Sequence, residues 1–287
     1  MKRASAGAIH PTAVVQGRVR LAPGCVVGPM AVLRGPVTLG AGTTVDALAV
    51  VLGPATFGRG NRIHPFAVLG GPPQDRTYAG EATRLVVGSG NVFREHVTVH
   101  RGTRKGGGTT RIGDNCLFMA GVHVAHDCRI GDGVQIANNV SLGGHVVVEA
   151  HAVIGGHAAL APFVRVGCGA MVAGGAMVDR DVPPDCIVRG DRAAVASLNV
   201  VGLRRRGASK RSIAALRAAF ALLFRDGRPF SEALRACAPL ARRDRRVRRL
   251  VAFLRGSRVG VRRGPSASGD ASGSDKIAVM RGRGRHG

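Results

Sequence analysis

Apolar residues recur at every sixth position along most of this chain. The run opens at Ile9, Val15, Leu21 and Val27 and continues in step through Phe57 and Ile63 to Leu69. It resumes in phase at Val87, Phe93 and Val99, shifts by one, and then runs from Ile112 through Val124, Ile136 and Ile154 to Val178. A period of six is neither the 3.6 of a helix nor the 2 of an alternating strand. It is the mark of a repeat architecture. Two residues before each periodic position stands a smaller one, such as Ala31, Ala49, Cys116, Cys128 or Ala152. Each unit therefore points one large and one small side chain inward. The residue after the large one is often glycine, as at Gly28, Gly40, Gly131 and Gly155, which suits a turn needing close backbone approach or positive φ. Three units make a triangular coil, and coils stack as parallel strands roughly 4.8 Å apart. The pattern predicts a parallel β-helix over residues 1–190. A β-sandwich or barrel would show turns every 8–12 residues instead.

The repeat breaks twice, at residues 71–86 (GPPQDRTYAGEATRLV) and 100–111 (HRGTRKGGGTTR). Loops that leave a rigid scaffold are where function concentrates. The repeat ends at Asp181-Val182-Pro183-Pro184. Helical spacing starts near Ser209, with Ile213, Leu216, Phe220 and Leu223 on one face and Val247, Leu250, Val251 and Leu254 on another. Residues 191–263 are thus expected to form a basic α-helical domain of two to four helices. Residues 264–287 read as a disordered basic tail.

Charge sharpens this division. The net charge is +25. Residues 1–190 hold 18 Lys and Arg against 11 Asp and Glu, whereas residues 191–287 hold 24 against 6. The excess of +18 in the last third implies an acidic partner. Aromatic residues are 3% of the chain, with no Trp, as a core of Val, Ile, Leu and Ala requires. The six cysteines are scattered; Cys25, Cys116 and Cys128 fall on small inward positions, and no CxxC metal spacing occurs. No stretch is long and apolar enough to span a membrane, and no signal core opens the chain, so the cytoplasm is expected.

The repeat also acts as a ruler for candidate chemistry. In VHVAHDCRIGD, Val124 and Cys128 point inward, so His126 and His123 face out. His100 and His145 lie about one coil away. Eighteen residues after His126 stands Gly144, which stacks its backbone N–H beside the imidazole. One outward histidine commonly does no more than solvate a flat face. Four near one level, flanked by both interruptions, favour a site. A neutral imidazole is a good base for a hydroxyl, a backbone N–H stabilises an oxyanion, and Asp127 would orient His126. The set suits acyl transfer without a covalent enzyme intermediate. Cys128 is excluded as nucleophile by its inward phase. A flat face is no pocket, so a cleft between prisms, and hence a symmetric homotrimer, is expected.

At this point the segments QDRTYAGEATR, FREHVTVHRGT, VHVAHDCRIGD, LGGH, DVPP and NVVGLRRRG come into play. In that order, they resemble the acyl-[acyl-carrier-protein]–UDP-N-acetylglucosamine O-acyltransferases, the family that opens lipid A biosynthesis. The resemblance spans roughly residues 8–255 and implies a left-handed hexapeptide β-helix. It implies that His126 takes the proton of the sugar 3-hydroxyl, whose oxygen attacks the thioester of a (3R)-hydroxyacyl-acyl carrier protein. It assigns support of His126 to Asp127 and the oxyanion to the Gly144 amide. Gln74 and Asp75 would contact sugar or acyl groups. His100, His123 and His145 would line the cleft. Asn199, Arg205 and Arg206 would hold the uridine diphosphate, and Gly174 would gauge acyl length, admitting a longer chain. The acidic acyl carrier protein would suit the basic third. No cofactor, metal or nucleic acid is expected.

The chain departs from the family pattern at Thr77, where a lysine is usual and Arg76 is the nearest cation. It departs again at Ala161-Pro162 and at Val201, all expected near the nucleotide. Two other readings fit less well. An N-acyltransferase of the same pathway carries an extra N-terminal domain, for which a repeat starting at Ile9 leaves no room. A γ-type carbonic anhydrase would place zinc on His100, His123 and His126, but lacks the arginine-rich segment and helical tail.

Overall fold

The structure, a computed structural model, describes residues 8–264. Short parallel strands wind into a three-sided prism. Its first face has eleven strands, its second nine and its third eight. Successive strands of one face pair with those one coil on, in register, as Val26↔Thr44 and His123↔Ser141 do. The period of six thus becomes three corners and three faces per coil. Large inward residues such as Leu33, Ile63, Phe93, Phe118 and Ile154 are wholly buried, and so are small ones such as Ala31, Cys128 and Ala152. Only the opening coil departs: Ile9 is 49% and Val15 40% exposed, since among the described residues none covers them from below.

The glycine that follows a large residue is there for close approach and not for positive φ, save at Gly70 (81°), where the chain leaves for the first excursion. A Cβ at Gly28 would sit 2.8 Å from Ala47 N, and one at Gly155 2.5 Å from Gly174 N. Positive φ falls two residues later, at the corner itself. Non-glycine residues hold it there, among them Asp127 (61°), His145 (63°) and Phe163 (68°). Side chains with a short polar group tolerate this left-handed region best, while for Phe it is a true outlier. The inward cysteines have a packing role. Cys25, Cys116 and Cys128 direct their thiols at carbonyls of Gly40, Gly131 and Gly143, at 3.1–3.2 Å.

The interruptions are tighter than the sequence suggests. Arg84–Val87 and Thr109–Ile112 are strands of the third face, and Thr98–His100 is a strand of the second. The excursions proper therefore span 72–83 and 101–108. The upper end also differs. Strands Cys186–Arg189 and Ala194–Leu198 form an antiparallel pair that extends the first face past residue 190.

Among the described residues a single 3-10 turn, Arg104–Gly106, interrupts the prism, and α-helices begin at α1 (Val200–Arg205), followed by α2 (Lys210–Phe224), α3 (Phe230–Ala236), α4 (Ala238–Arg243) and α5 (Arg245–Arg255). That is five helices where two to four were expected; α1 is too short for its periodicity to register. Helical spacing was read from near Ser209, and Ser209 caps α2, accepting from Ser212 N. Buried Asp185 ties the helices to the prism, bonding Arg206 at 2.5 Å and Arg249 at 2.6 Å. Arg165 lies 4.5 Å over the Phe253 ring, and Ser257 donates to buried Asp181. The expected tail lies outside the described residues, of which no helix is long and apolar enough to cross a membrane.

Candidate active site

The second and third faces meet at a corner where His126 and Asp127 sit. The repeat makes this corner hospitable to an imidazole. The second residue after each large inward one keeps its N–H out of the ladder, which is why Pro29, Pro65 and Pro162 are tolerated at that phase. Gly144 has the same phase one coil above His126, and its N–H makes no hydrogen bond among the described residues. A Cβ at Gly144 would lie 2.7 Å from His126 Cε1 and 2.9 Å from Nε2. Glycine is therefore what lets the ring lie against an unspent backbone N–H.

Asp127 is buried and fully engaged. Its carboxyl accepts Thr103 N at 2.9 Å and Thr103 Oγ1 at 2.7 Å, and its own N–H donates to Thr110 Oγ1 at 2.8 Å. His126 Nδ1 lies 2.8 Å from Asp127 Oδ2. Since the Asp127 oxygens accept from two other donors, His126 Nδ1–H is the donor here. With the proton on Nδ1, Nε2 is the acceptor nitrogen of the ring and lies beside Gly144. Thr103 comes from the second excursion, and Thr110 from the strand Thr109–Ile112 that follows it. Gly106 of the excursion also belongs to the site, because a Cβ there would collide with the Asp127 carboxyl. The period has no phase inside an excursion and so passes over Thr103 and Gly106, whereas Thr110 falls on the small inward phase before Ile112, where a hydroxyl was not foreseen.

His145 follows Gly144. Its ring meets His126 edge-on at 5.2 Å and lies flat on Phe163 at 4.5 Å, and its Nε2 is 3.8 Å from Asp127 Oδ2. Phe163, 61% exposed, was not anticipated, since it follows the Ala161-Pro162 departure. His100 and His123 form a second pair on the second face, with ring centres 5.3 Å apart. Nδ1–H of His100 donates to Pro72 O at 2.6 Å, and His123 Nδ1 lies 2.8 Å from Thr98 Oγ1. The four histidines touch as two pairs, and His100 of one pair feels the charge of His126 in the other. Burial lowers the pKa of His100, His123 and His145 below the ordinary imidazole value, so all three are neutral near pH 7. Cys128 takes no part: burial pushes its thiol up to about 12.

In the first excursion Gln74 is exposed. Asp75 accepts Thr77 N at 2.8 Å and Thr77 Oγ1 at 3.0 Å, and these bonds hold its carboxyl below the usual range. The cation that reaches Thr77 is Lys105 of the second excursion, its Nζ 3.2 Å from Thr77 Oγ1, and not the neighbouring Arg76. The two excursions are thereby linked.

The expected nucleotide residues divide. Arg205 is exposed. Arg206 is bound to Asp185 and to Gly169 O, and both ends of the Asn199 amide are spent, Oδ1 accepting Gly202 N and Nδ2 donating to Gly169 O. In one chain Arg206 and Asn199 therefore hold α1 in place, and Arg205 is the free cation. Charge counting could not reveal this, because the partner Asp185 is visible only in the fold. Gly174 lies at the corner between the first and second faces, across the second face from His126. A Cβ there would meet only Gly156 O at 3.3 Å and Gly156 N at 4.0 Å.

Among the described residues one group could hold a metal, namely His126, Asp127 and His145. The trio His100, His123 and His126 that zinc would need is not brought together in one chain.

Known proteins share both the architecture and the sequence. Residues 109–144 match the profile of bacterial transferase hexapeptide repeats, and residues 181–264 match the second domain of UDP N-acetylglucosamine O-acyltransferase. The chain is 44% identical over 256 residues to an acyl-[acyl-carrier-protein]–UDP-N-acetylglucosamine O-acyltransferase of Anaeromyxobacter sp. strain K, covering 89% of this chain and 100% of that one. A second such protein, from Anaeromyxobacter sp. strain Fw109-5, is 46% identical over 191 residues, 67% of this chain and 74% of its own length. Among solved structures, the UDP-N-acetylglucosamine acyltransferase of Francisella novicida superposes with a TM-score of 0.87 at 33% identity, covering 90% and 94% of the two chains. That of Campylobacter jejuni does so at 0.84 and 34%, covering 90% and 100%.

Proposed function

The chain belongs to the acyl-[acyl-carrier-protein]–UDP-N-acetylglucosamine O-acyltransferase family and is an acyltransferase of lipid A biosynthesis, and from that premise we propose how this chain works. It transfers a (3R)-hydroxyacyl chain from acyl carrier protein to the 3-hydroxyl of UDP-N-acetylglucosamine, with His126 as general base and no covalent enzyme intermediate. The observation that carries this is the alignment of three groups at one corner: Asp127 on His126 Nδ1, a free Nε2, and the unspent Gly144 N–H beside it.

The steps follow from those groups. Nε2 removes the sugar hydroxyl proton as its oxygen bonds to the thioester carbon. Asp127 stabilises the resulting imidazolium, and the Gly144 N–H donates to the oxyanion. Collapse breaks the carbon–sulfur bond, and the imidazolium returns its proton to the departing thiolate. No acyl-enzyme is needed, and the most tempting nucleophile, Cys128, is a buried thiol. Neutral His100 and His123 offer polar contacts to the sugar nucleotide, together with Arg205. Gln74 and Asp75 reach the reacting groups from the first excursion. Arg206 and Asn199 act by positioning α1.

The cleft lies between subunits of a homotrimer. Met30, Leu48 and Phe66 stack along the corner of the first and second faces, 60%, 38% and 48% exposed, all with positive φ. Large apolar side chains that are both strained and exposed call for a cover. The outward columns of the two flanking faces are also mostly neutral, with Val26, Val92 and Leu117 on one and Val32, Val50 and Val68 on the other. This supports a three-fold axis at that corner. A second face would then oppose a first face of the next subunit, and Gly174 of one chain could gauge the acyl chain held at His126 of its neighbour.

The test is incubation with UDP-N-acetylglucosamine and a panel of acyl carrier protein thioesters, with products read by mass. A 3-O-(hydroxyacyl) product is expected. No ester product with any thioester would refute the reading.

A further inference from the structure

The third face of the prism differs from the other two. Its outward column, in register from coil to coil, runs Arg20, Thr38, Thr56, Val86, Arg111, Arg129, Val147 and Arg165, roughly 34 Å from end to end at the usual strand spacing. Arg111 and Arg129 are direct cross-strand neighbours, both exposed, and neither makes an ion pair among the described residues. Like charges placed side by side on a sheet destabilise it. A fold that keeps such a pair without an acidic neighbour has another use for it.

Its position says which use. Arg129 lies three residues beyond His126, on the strand that leaves the catalytic corner for the third face. With the neutral faces turned towards other subunits, the third face is left to solvent and borders the mouth of the cleft. Its upper end is covered by the end of α5, where Arg165 donates to Gly256 O and Phe253 lies under the Arg165 guanidinium. The exposed Arg255 precedes Gly256 in that helix end and adds a further positive charge at the upper end of this face.

We infer that the acyl carrier, an acidic protein, docks on this third face, over Arg111 and Arg129 and against Arg255, beside the catalytic corner. This rests on the carrier-dependent transfer proposed above. It moves the main carrier contact from the helical third, where net charge alone would put it, onto the prism. Many arginines of that third are already engaged: Arg206, Arg246 and Arg249 face Asp185, and Arg262 pairs with Asp179.

The test compares one acyl group on acyl carrier protein with the same group on pantetheine alone. Arg111→Gln with Arg129→Gln should raise KM for the carrier thioester about tenfold more than KM for the pantetheine thioester, and should weaken the salt dependence of the former. Arg18→Gln with Arg20→Gln, at the far end of the same face, should shift the two KM values equally. Thermal unfolding guards against misfolding: removing a like-charge pair should leave Tm unchanged or raised. Equal changes in the two KM values for the Arg111/Arg129 variant would overturn the docking site. If the wild-type protein does not turn over the carrier thioester, the proposed function fails first. Calorimetric titration with the carrier then decides the face alone: binding lost in the variant supports it, and binding retained overturns it.

Discussion

Adding one methyl group at Gly144 should disable the enzyme without unfolding it. The Cβ of Gly144→Ala would sit 2.7 Å from His126 Cε1 and 2.9 Å from Nε2. Carbon contacts need about 3.5 Å, so the ring must withdraw by about 0.8 Å. The backbone opposes the change little, since Gly144 is not among the positive-φ glycines and the obstacle is a side chain 16% exposed. Withdrawal stretches the 2.8 Å bond from Nδ1 to Asp127 and moves Nε2 off the incoming hydroxyl. A misplacement near 1 Å costs about a hundredfold in rate, or about 2.7 kcal/mol of barrier. Folding should change by under about 1 kcal/mol, because the alanine also reduces the entropy of the unfolded chain. The assay is kcat/KM with carrier thioester, beside thermal unfolding, in a double-mutant cycle with His126→Ala. With the ring already gone, the added methyl should cost less than about twofold, since the shared contact is absent. A Gly144→Ala enzyme within threefold of wild type, or full additivity in the cycle, would refute the argument.

Three other substitutions or conditions probe separate links. Gly174→Met should move acyl preference to shorter chains with Tm unchanged, since its Cβ meets only Gly156 O at 3.3 Å; an unaltered product profile by mass would remove the gauge. Asp185→Asn should cost about 3–5 kcal/mol by thermal or urea unfolding, because a buried carboxylate that holds two guanidinium groups is lost, whereas Asp179→Asn, at an exposed pair, should cost under about 1 kcal/mol. Acidification should destabilise the fold. His100, His123 and His145 have folded pKa values below 6.5, so the unfolded chain binds more protons under that pH, and stability should be full above it and fall as pH drops through it. A Tm that holds from pH 7.5 to 5, or a slope unchanged in His100→Asn/His123→Asn, would contradict this.

Much of the site was legible because a period of six assigns every repeat residue a direction. It placed Gly144 one coil above His126, turned Cys128 inward and put the two excursions at its breaks. It could not speak for residues inside those breaks. Thr103 and Gly106 hold Asp127, yet nothing in a Gly-rich loop marks which hydroxyl will fold back onto a corner. The resemblance implied a nucleotide role for Asn199 and Arg206, which the pairing within one chain qualifies. Arg206 and Asn199 looked like ligand groups, but Asp185 and the Gly169 carbonyl engage them first. The glycine after each large residue admitted two explanations, and the Cβ collisions across coils choose close approach. The hairpin ending at Leu198 was hidden because an antiparallel return leaves the six-residue phase.

The central claim is that His126 Nε2 is the base for a direct transfer. Single-turnover acylation of UDP-N-acetylglucosamine by His126→Ala, with bound acyl carrier protein thioester, measures it most directly. The account predicts a loss of about 10²–10⁴-fold in the chemical step with folding and thioester binding retained. A rate close to wild type, or an acyl group found on the protein at a competent rate before sugar is added, would contradict it.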